Sequence, residues 1–95
     1  MSKWYFVTSY SVTNPDGYAE YPKLVGPTQA GLARRMIAGP GEVIEGEPRD
    51  RTVVLEFESR EKFDEWYYSD EYQKILPLRA DNSEGWAILI EEFSG

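Results

Sequence analysis

Residues 51–79 constrain the fold more than any other stretch, because one strand pattern leads directly into two helix starts. Val53, Leu55 and Phe57 are apolar and alternate with residues of mixed polarity. Such a period of two is typical of a strand that packs one face against the core. It predicts a strand over 52–58.

Two serines mark helix starts in the same stretch. Ser59 is a favoured N-cap residue, and Phe63, Trp66 and Tyr67 follow it at the three- and four-residue spacing of one buried helix stripe. Ser69 repeats the capping arrangement, which predicts that the helix breaks or bends there. A second, short helical turn is expected to follow.

The rest of the chain supplies three further strand patterns and one further helical region. The predicted segments are a strand over 3–12, a kinked helix or two short helices over 15–33, a strand over 34–38 that resumes over 42–45 after a bend or bulge at 39–41, a turn over 46–50, a polar loop over 80–85 and a strand over 86–93. Asn14, directly before Pro15, is expected to cap the first helical region.

The elements follow the order strand, helix, strand, strand, helix, strand, in one domain over residues 1–95. With right-handed crossovers, this order predicts an α+β fold of the ferredoxin-like βαββαβ type. Such a fold has a four-stranded antiparallel sheet that carries both helical regions on one face. A chain of this length buries about two thirds of its unfolded surface, which is sufficient for one such domain.

The last strand pattern is apolar on both faces, with Trp86, Ile88 and Ile90 opposite Ala87 and Leu89. Helices cover only one face of the predicted sheet, and a large bare apolar face is usually an interface. We therefore expect a homodimer, with the chain itself as its partner. Two sheets would face each other across a common core or cavity in a dimeric α+β barrel.

Composition removes several classes of chemistry. The chain has no cysteine and no histidine, which excludes thiol nucleophiles, thiolate zinc sites, Ser-His-Asp catalysis and histidine-ligated haem. The acidic side chains of 42–50 lack the ligand rhythm of a calcium loop. We expect no cofactor and no metal, so any chemistry would fall to carboxylates, tyrosines, arginines, lysines or a bound molecule.

The net charge of −7 argues against a nucleic-acid partner, because the phosphate backbone would be repelled. RNA-recognition motifs share the predicted element order, but Glu56 and Glu58 lie on the central strand where stacking rings would be needed. No segment approaches the ~20 apolar residues of a membrane span, and the N-terminus lacks the apolar core of a signal peptide. We expect no membrane partner and a cytoplasmic location.

Six segments resemble one known family. They are Asn14-Pro15-x-x-Tyr18-x-x-Tyr21, Val25-Gly26-Pro27-Thr28, Val43-Ile44-Glu45-Gly46, Arg51-x-Val53-Val54-Leu55-Glu56-Phe57-x-Ser59, Trp66-Tyr67-x-Ser69-x-Glu71-Tyr72-Gln73 and Leu78-Arg79. Over almost its whole length the chain is similar to the domain of unknown function 1330 family. The resemblance implies a dimeric α+β barrel of the ferredoxin-like type and no established activity. Haem-degrading enzymes, cofactor-independent monooxygenases and muconolactone isomerases also use such barrels, but that kinship is an analogy of fold.

Glu56 is a candidate catalytic residue in the middle of the predicted central strand. It alternates with Leu55 and Phe57, so it is expected to point away from the helices and toward the cavity of the dimer. There it would be a candidate general base. The alternative is an ion pair with an arginine across the sheet or the interface.

Arg79 is the second candidate catalytic residue, at the end of the second predicted helical region. Its guanidinium could receive a ligand carboxylate in bidentate fashion. Alternatively, it caps the helix C-terminus or pairs with an acidic side chain, because cations are favoured at that end of a helix.

Five aromatic side chains are candidates for ligand contact. They are Tyr18, Tyr21, Trp66, Tyr67 and Tyr72. They would supply aromatic walls and hydroxyl donors for a planar apolar ligand. Helical spacing explains the same residues as core side chains with polar tips, so both interpretations stand.

Two functional hypotheses follow. The first is a small-molecule-binding dimeric barrel, including a cofactor-independent enzyme that acts on an aromatic or carbonyl compound, with Glu56, Arg79 and the tyrosines around one pocket. The second is a non-catalytic structural or regulatory dimerisation module whose dimer core is simply packed. The volume of the cavity between the two sheets of the dimer separates the hypotheses, since a dry, filled sheet interface would exclude the first.

Overall fold

The structure, a computed structural model, describes residues 2–47 and 49–93. Its elements are β1 (Trp4–Val12), α1 (Pro15–Tyr18), α2 (Tyr21–Gln29), β2 (Ala33–Gly39), β3 (Arg51–Phe57), α3 (Arg60–Tyr67), α4 (Asp70–Ala80) and β4 (Ser83–Glu91). The strands form one antiparallel sheet in the order β2-β3-β1-β4. This is the predicted ferredoxin-like α+β fold, in which each pair of helices connects two strands that are not neighbours.

The two serine caps and the break between α3 and α4 are confirmed. The Ser59 hydroxyl accepts the Lys62 amide at 3.2 Å, and the Ser69 hydroxyl accepts the Tyr72 amide at 3.1 Å. The prediction that only a short turn follows Ser69 is wrong, since α4 has 11 residues and continues through Pro77. Neighbouring apolar side chains of α4 pack against the core and hold this helix despite the proline.

The first helical region consists of two short helices, one of the two predicted arrangements. The helix start predicted at Asn14 and Pro15 is confirmed, since Asn14 occupies the N-cap position of α1, but its side chain makes no cap hydrogen bond to the helix. Instead, the side-chain amide of Asn14 donates to the side-chain oxygen of Asn82 at 3.0 Å. The backbone amide of Asn14 donates to the backbone carbonyl of Asn82. Asn14 therefore ties the start of α1 to the turn between α4 and β4.

The connection between β2 and β3 differs most from prediction. The chain leaves the sheet after Gly39, and residues 42–45 lie outside the strands, so the resumed strand predicted there is wrong. The irregularity of β2 falls between Ala33 and Arg35 rather than at 39–41. Gly41 has a φ of +68°, which only glycine adopts readily, and it turns the chain away. The predicted turn at 46–50 includes Pro48, which lies outside the described residues.

β4 begins at Ser83, three residues before the predicted start. Residues 83–85 are polar or glycine, so they resemble a loop, yet they pair with Val12, Ser11 and Tyr10 of β1. Gly85 permits this approach, because a Cβ at that position would overlap the Ser9 carbonyl oxygen and lie 2.6 Å from the Tyr10 Cα. Backbone pairing, which no apolar pattern reports, therefore extends the strand.

The core lies between the helices and one face of the sheet, and it is mostly aromatic. Its buried members are Phe6, Tyr10, Tyr18, Tyr21, Leu55, Phe57, Phe63, Trp66 and Tyr72. Leu55 and Phe57 come from β3, as the period of two predicts, and Phe63 and Trp66 come from the predicted stripe of α3.

The opposite side of the sheet, here called the outer face, carries the side chains that alternate with the core positions. Ile37, Val54, Val7 and Ile88 are paired in one register and form an apolar row across all four strands. Ile88 is 46% exposed and Ile37 is 54% exposed. The prediction of a second apolar face is confirmed.

Candidate functional site

A cavity of about 170 Å³ lies between α2 and the helix-facing side of the sheet. It is lined by Phe6, Thr8, Tyr10, Tyr18, Tyr21, Pro22, Val25, Gln29, Met36, Ala38, Arg51, Val53, Leu55, Trp66 and Arg79. Among the residues that the structure describes, this lining is mostly apolar and aromatic, with two arginines and no carboxylate. The cavity therefore combines apolar walls with positive charge.

Arg51, Tyr18 and Tyr10 form a first group of hydrogen-bonded side chains at the cavity, here called the Arg51 cluster. The hydroxyls of Tyr10 and Tyr18 lie 2.7 Å apart, and Arg51 Nη1 donates to the Tyr18 hydroxyl at 3.3 Å. Arg51 reaches this position because β3 alternates, which puts it on the same face as Val53 and Leu55. The cluster joins β1, α1 and β3.

Arg79, Tyr72 and Tyr21 form a second group, here called the Arg79 cluster. The hydroxyls of Tyr21 and Tyr72 lie 2.8 Å apart, and Arg79 Nη2 donates to the Tyr72 hydroxyl at 3.4 Å. The Arg79 guanidinium carbon also lies 5.9 Å from the Tyr10 ring centroid and 6.0 Å from that of Tyr21. Arg79 therefore forms a cation–π interaction with one aromatic ring of each cluster.

Arg79 is only 9% exposed, and its Nε is buried without a hydrogen-bond partner among the described residues. Across residues 2–47 and 49–93, neither Arg79 nor Arg51 forms an ion pair with a carboxylate. An acidic partner for Arg79, one of the expected alternatives, is therefore not seen in this part of the chain. Its side chain bonds to a tyrosine instead.

Burial is the main cause that raises the pKa of Tyr10 and of Tyr21 above the ordinary value of 10.0. The neighbouring hydroxyls of Tyr18 and Tyr72 add to the respective shifts. The hydrogen bond to Tyr18 is the largest contribution that raises the pKa of Arg51. At neutral pH Tyr10 and Tyr21 therefore keep their protons, and Arg51 stays a cation.

Stability is expected to fall at high pH through Tyr10 and Tyr21. Their pKa values are higher in the folded chain than in the unfolded chain, so the unfolded chain loses its protons first as the pH passes about 10. The stabilisation is complete below that pH and declines above it, by up to about 1.4 kcal/mol per pH unit for each tyrosine. Urea unfolding between pH 8 and about 11 measures the slope.

Tyr21→Phe is expected to reduce the slope of stability against pH, because phenylalanine has no proton to lose. Tyr68→Phe is the control, since Tyr68 is 63% exposed and takes part in neither cluster. Equal slopes in wild type and Tyr21→Phe would contradict this account of the Arg79 cluster.

Of the five aromatic candidates, the structure brings Tyr18, Tyr21 and Trp66 to the cavity. Trp66 is 1% exposed, and its Nε1 donates to the Thr28 hydroxyl at 2.9 Å. Tyr72 is fully buried and does not line the cavity, but its hydroxyl lies 2.8 Å from that of Tyr21, which does.

Tyr67 lines a separate shallow depression that it shares with Tyr10, Arg79 and the start of β4. It is therefore not brought together with Tyr18, Tyr21 and Trp66 in the cavity beside α2. Of the five aromatic residues predicted from sequence, three therefore line the cavity, Tyr72 packs against two of these, and Tyr67 lies in the separate depression.

Glu56 lies on the outer face, as its place in the alternation predicts. Its carboxylate forms ion pairs with Arg34 at 3.6 Å and with Arg35 at 3.5 Å. The sheet therefore separates Glu56 from Arg79 and from the cavity tyrosines. This corrects the expectation of one pocket shared by Glu56, Arg79 and the tyrosines.

Tyr10 and Arg51 are cavity residues that were not among the sequence candidates. A signal for Arg51 was present, because it shares the period of two with Val53 and Leu55 and so had to face the helices. A signal for Tyr10 was its place on the inward face of β1 with Phe6. Their convergence on Tyr18 depends on the tertiary fold.

No helix in the described part of the chain has both the length and the apolar character needed to cross a membrane. The same residues hold no group of three or more acidic side chains placed to bind a metal ion.

A family model described as a domain of unknown function, DUF1330, matches residues 3–93. A comparison with curated proteins finds no match.

Several solved structures share the fold at low sequence identity. A protein of unknown function from Rhodopseudomonas palustris superposes with a TM-score of 0.76 at 15% identity, covering 99% of this chain and 85% of that one. A dimeric ferredoxin-like protein of unknown function from Jannaschia sp. gives 0.75 at 11% identity, covering 96% and 98% of the two chains. SnoaB, a cofactor-independent oxygenase from Streptomyces nogalater, gives 0.73 at 9% identity, covering 100% and 97%. At such identities the likeness shows the fold alone.

Proposed function

Because the chain belongs to the DUF1330 family, which has no assigned function, we propose from its own geometry that it binds a small aromatic or carbonyl compound. The observation that carries this proposal is the cavity of about 170 Å³ against the aromatic core. Cavities of about 150 Å³ with apolar walls bind benzene, so this one is large enough for a ligand of about one ring. Tyrosine hydroxyls and two guanidiniums would orient the polar end of the ligand.

We also propose that the binding unit is a homodimer. The apolar row of Ile37, Val54, Val7 and Ile88 is too exposed to suit a face that stays in water. Structural neighbours from Thermobifida fusca, Bacteroides fragilis and Jannaschia sp. are described as dimeric, which supports a second copy as the cover. Glu56 would then lie in the cleft between two sheets, already paired with Arg34 and Arg35.

A cofactor-independent reaction is the more specific form of the proposal, and the donors in the cavity favour it. Arg79, Arg51 and the tyrosine hydroxyls could stabilise an oxyanion that develops on a bound carbonyl compound, as an oxyanion hole does. SnoaB, which shares the fold, is a cofactor-independent oxygenase. The described lining contains neither a carboxylate nor a histidine, so a reaction that begins with proton removal would need its base from the ligand or from water.

Titration of ¹⁵N-labelled protein with phenol, benzaldehyde, benzamide and benzoate tests the binding proposal. We expect at least one probe to shift the amides of α2 and of the cavity side of β2 and β3 in a saturable way. Ala38→Phe should abolish these shifts, since Ala38 lines the cavity and a phenyl ring would occupy it. Ala30→Phe is the matched control, because Ala30 is exposed after the last residue of α2 and does not line the cavity.

The result that would contradict the binding proposal is the absence of saturable shifts with all four probes. Shifts confined to the outer face, or binding that Ala38→Phe leaves unchanged, would also reject this cavity as the site. The absence of saturable shifts with every probe would favour the non-catalytic dimerisation module, whereas binding elsewhere would reject only the cavity as the site.

A further inference from the structure

We propose that the ligand of the cavity is a small organic anion, most simply a carboxylate on a single ring, received by Arg79 and Arg51. This inference rests on the proposed function and names the chemical class of its ligand. It is carried by the charges and hydrogen bonds of the cavity lining.

The first argument is uncompensated charge. A buried guanidinium costs several kcal/mol unless it is paired, and Arg79 is 9% exposed without a carboxylate partner among the described residues. The rings of Tyr10 and Tyr21 offset only part of this cost, because their centroids lie 5.9 and 6.0 Å from the guanidinium. A bound anion would supply the missing charge.

Other arginines of the chain show that carboxylates are available as partners. Arg34 and Arg35 pair with Glu56, and Arg60 pairs with Asp64 at 3.2 Å. The chain has 17 acidic side chains, yet none of them lines the cavity. Arg79, in contrast, is buried without a carboxylate partner among the described residues, and it lines the cavity.

The second argument is a count of donors and acceptors. Each tyrosine pair has two hydroxyl hydrogens, one of which is used between the two hydroxyls. The other donates in no hydrogen bond of the described residues, since the bond from each arginine ends on a hydroxyl oxygen and uses no hydroxyl hydrogen. Arg79 Nε adds a further buried donor that has no acceptor in the described part of the chain. An acceptor with several lone pairs, as in a carboxylate, matches this surplus of donors.

The third argument is size. The cavity of about 170 Å³ is below the ~300–1,000 Å³ of sites for drug-sized ligands. Its volume fits a ligand of one ring with one polar substituent. The ring would lie against apolar side chains such as Val25 and Val53, and the charged group would face the arginines. A single-ring carboxylate satisfies both the charge and the walls.

Benzoate and its neutral isostere benzamide test the inference by calorimetric titration of the full chain. We expect benzoate to bind at least about tenfold more tightly, since a guanidinium forms stronger hydrogen bonds with a carboxylate than with a neutral amide. Arg79→Met should remove the preference for benzoate while benzamide affinity changes little. Arg60→Met is the matched control, because Arg60 pairs with Asp64 on α3 and does not line the cavity.

The outcomes separate this inference from the proposed function. Equal affinity for the two probes, or tighter binding of benzamide, would overturn the anion inference and leave small-molecule binding in place. Failure of all four probes of the NMR titration would overturn both. If Arg79→Met weakens the two probes equally, Arg79 has a structural role and the inference fails. Should Arg79→Met not fold, Arg51→Met, at a more exposed position, gives the same comparison.

Discussion

Replacing Trp66 by alanine is expected to lower the free energy of unfolding by about 3–5 kcal/mol, the typical loss for a large aromatic side chain in a core. Trp66 is 1% exposed, and its ring centroid lies 4.2 Å from that of Tyr72 and 5.6 Å from that of Phe57. It also donates to Thr28 on α2, so its removal loosens the helix that covers the cavity. The expected loss is a large fraction of the free energy of unfolding of a typical domain, which is about 5–15 kcal/mol.

Urea unfolding followed by far-ultraviolet circular dichroism measures the effect of Trp66→Ala. Tyr68→Ala is the control from the same segment, since Tyr68 is 63% exposed and its loss should change stability by less than about 1 kcal/mol. A Trp66→Ala variant as stable as Tyr68→Ala would mean that the aromatic core does not hold the fold in the way described.

Replacing Ile88 by aspartate is expected to convert the proposed homodimer to a monomer. Ile88 ends the apolar row of the outer face, and a carboxylate buried there in both copies would be desolvated without a partner. Size-exclusion chromatography with light scattering should give twice the 10.9 kDa chain mass for wild type and the single chain mass for the variant.

Leu24→Asp is the control for the dimer prediction. Leu24 is an exposed apolar residue on α2, on the side of the sheet away from the outer face, so this variant should remain dimeric. A wild-type protein that stays monomeric at every concentration, or equal dissociation of the two variants, would reject the outer face as the dimer surface.

The fold could be predicted from the sequence wherever local pattern and burial agree. One example is the strand β3, whose alternating apolar residues Val53, Leu55 and Phe57 face the core as predicted. A second is the pair of helix starts at Ser59 and Ser69, where the structure confirms both caps. The prediction failed where backbone pairing between strands determines whether a segment is a strand. Residues 42–45 lack such pairing, and residues 83–85 at the start of β4 have it. Periodicity carries no information about such pairing.

The cavity was harder to predict, because it depends on contacts between distant parts of the chain. Tyr21 and Tyr72 are 51 residues apart, and Arg51 and Tyr18 are 33 residues apart. The sequence identified Arg79 and three of the aromatic wall residues as candidates. No spacing in the sequence indicated that the tyrosines would form two hydroxyl pairs, each bonded to one arginine. Glu56 illustrates the reverse case, since its direction was predicted correctly while its separation from Arg79 was not.

A crystal structure with 4-bromobenzoate is the most direct test that this cavity binds a small organic anion. We expect the anomalous peak of bromine between α2 and the sheet, with the carboxylate about 2.7–2.9 Å from nitrogen atoms of Arg79 or Arg51. A bromine peak on the outer face, or a cavity left empty by a compound that binds in solution, would contradict the account.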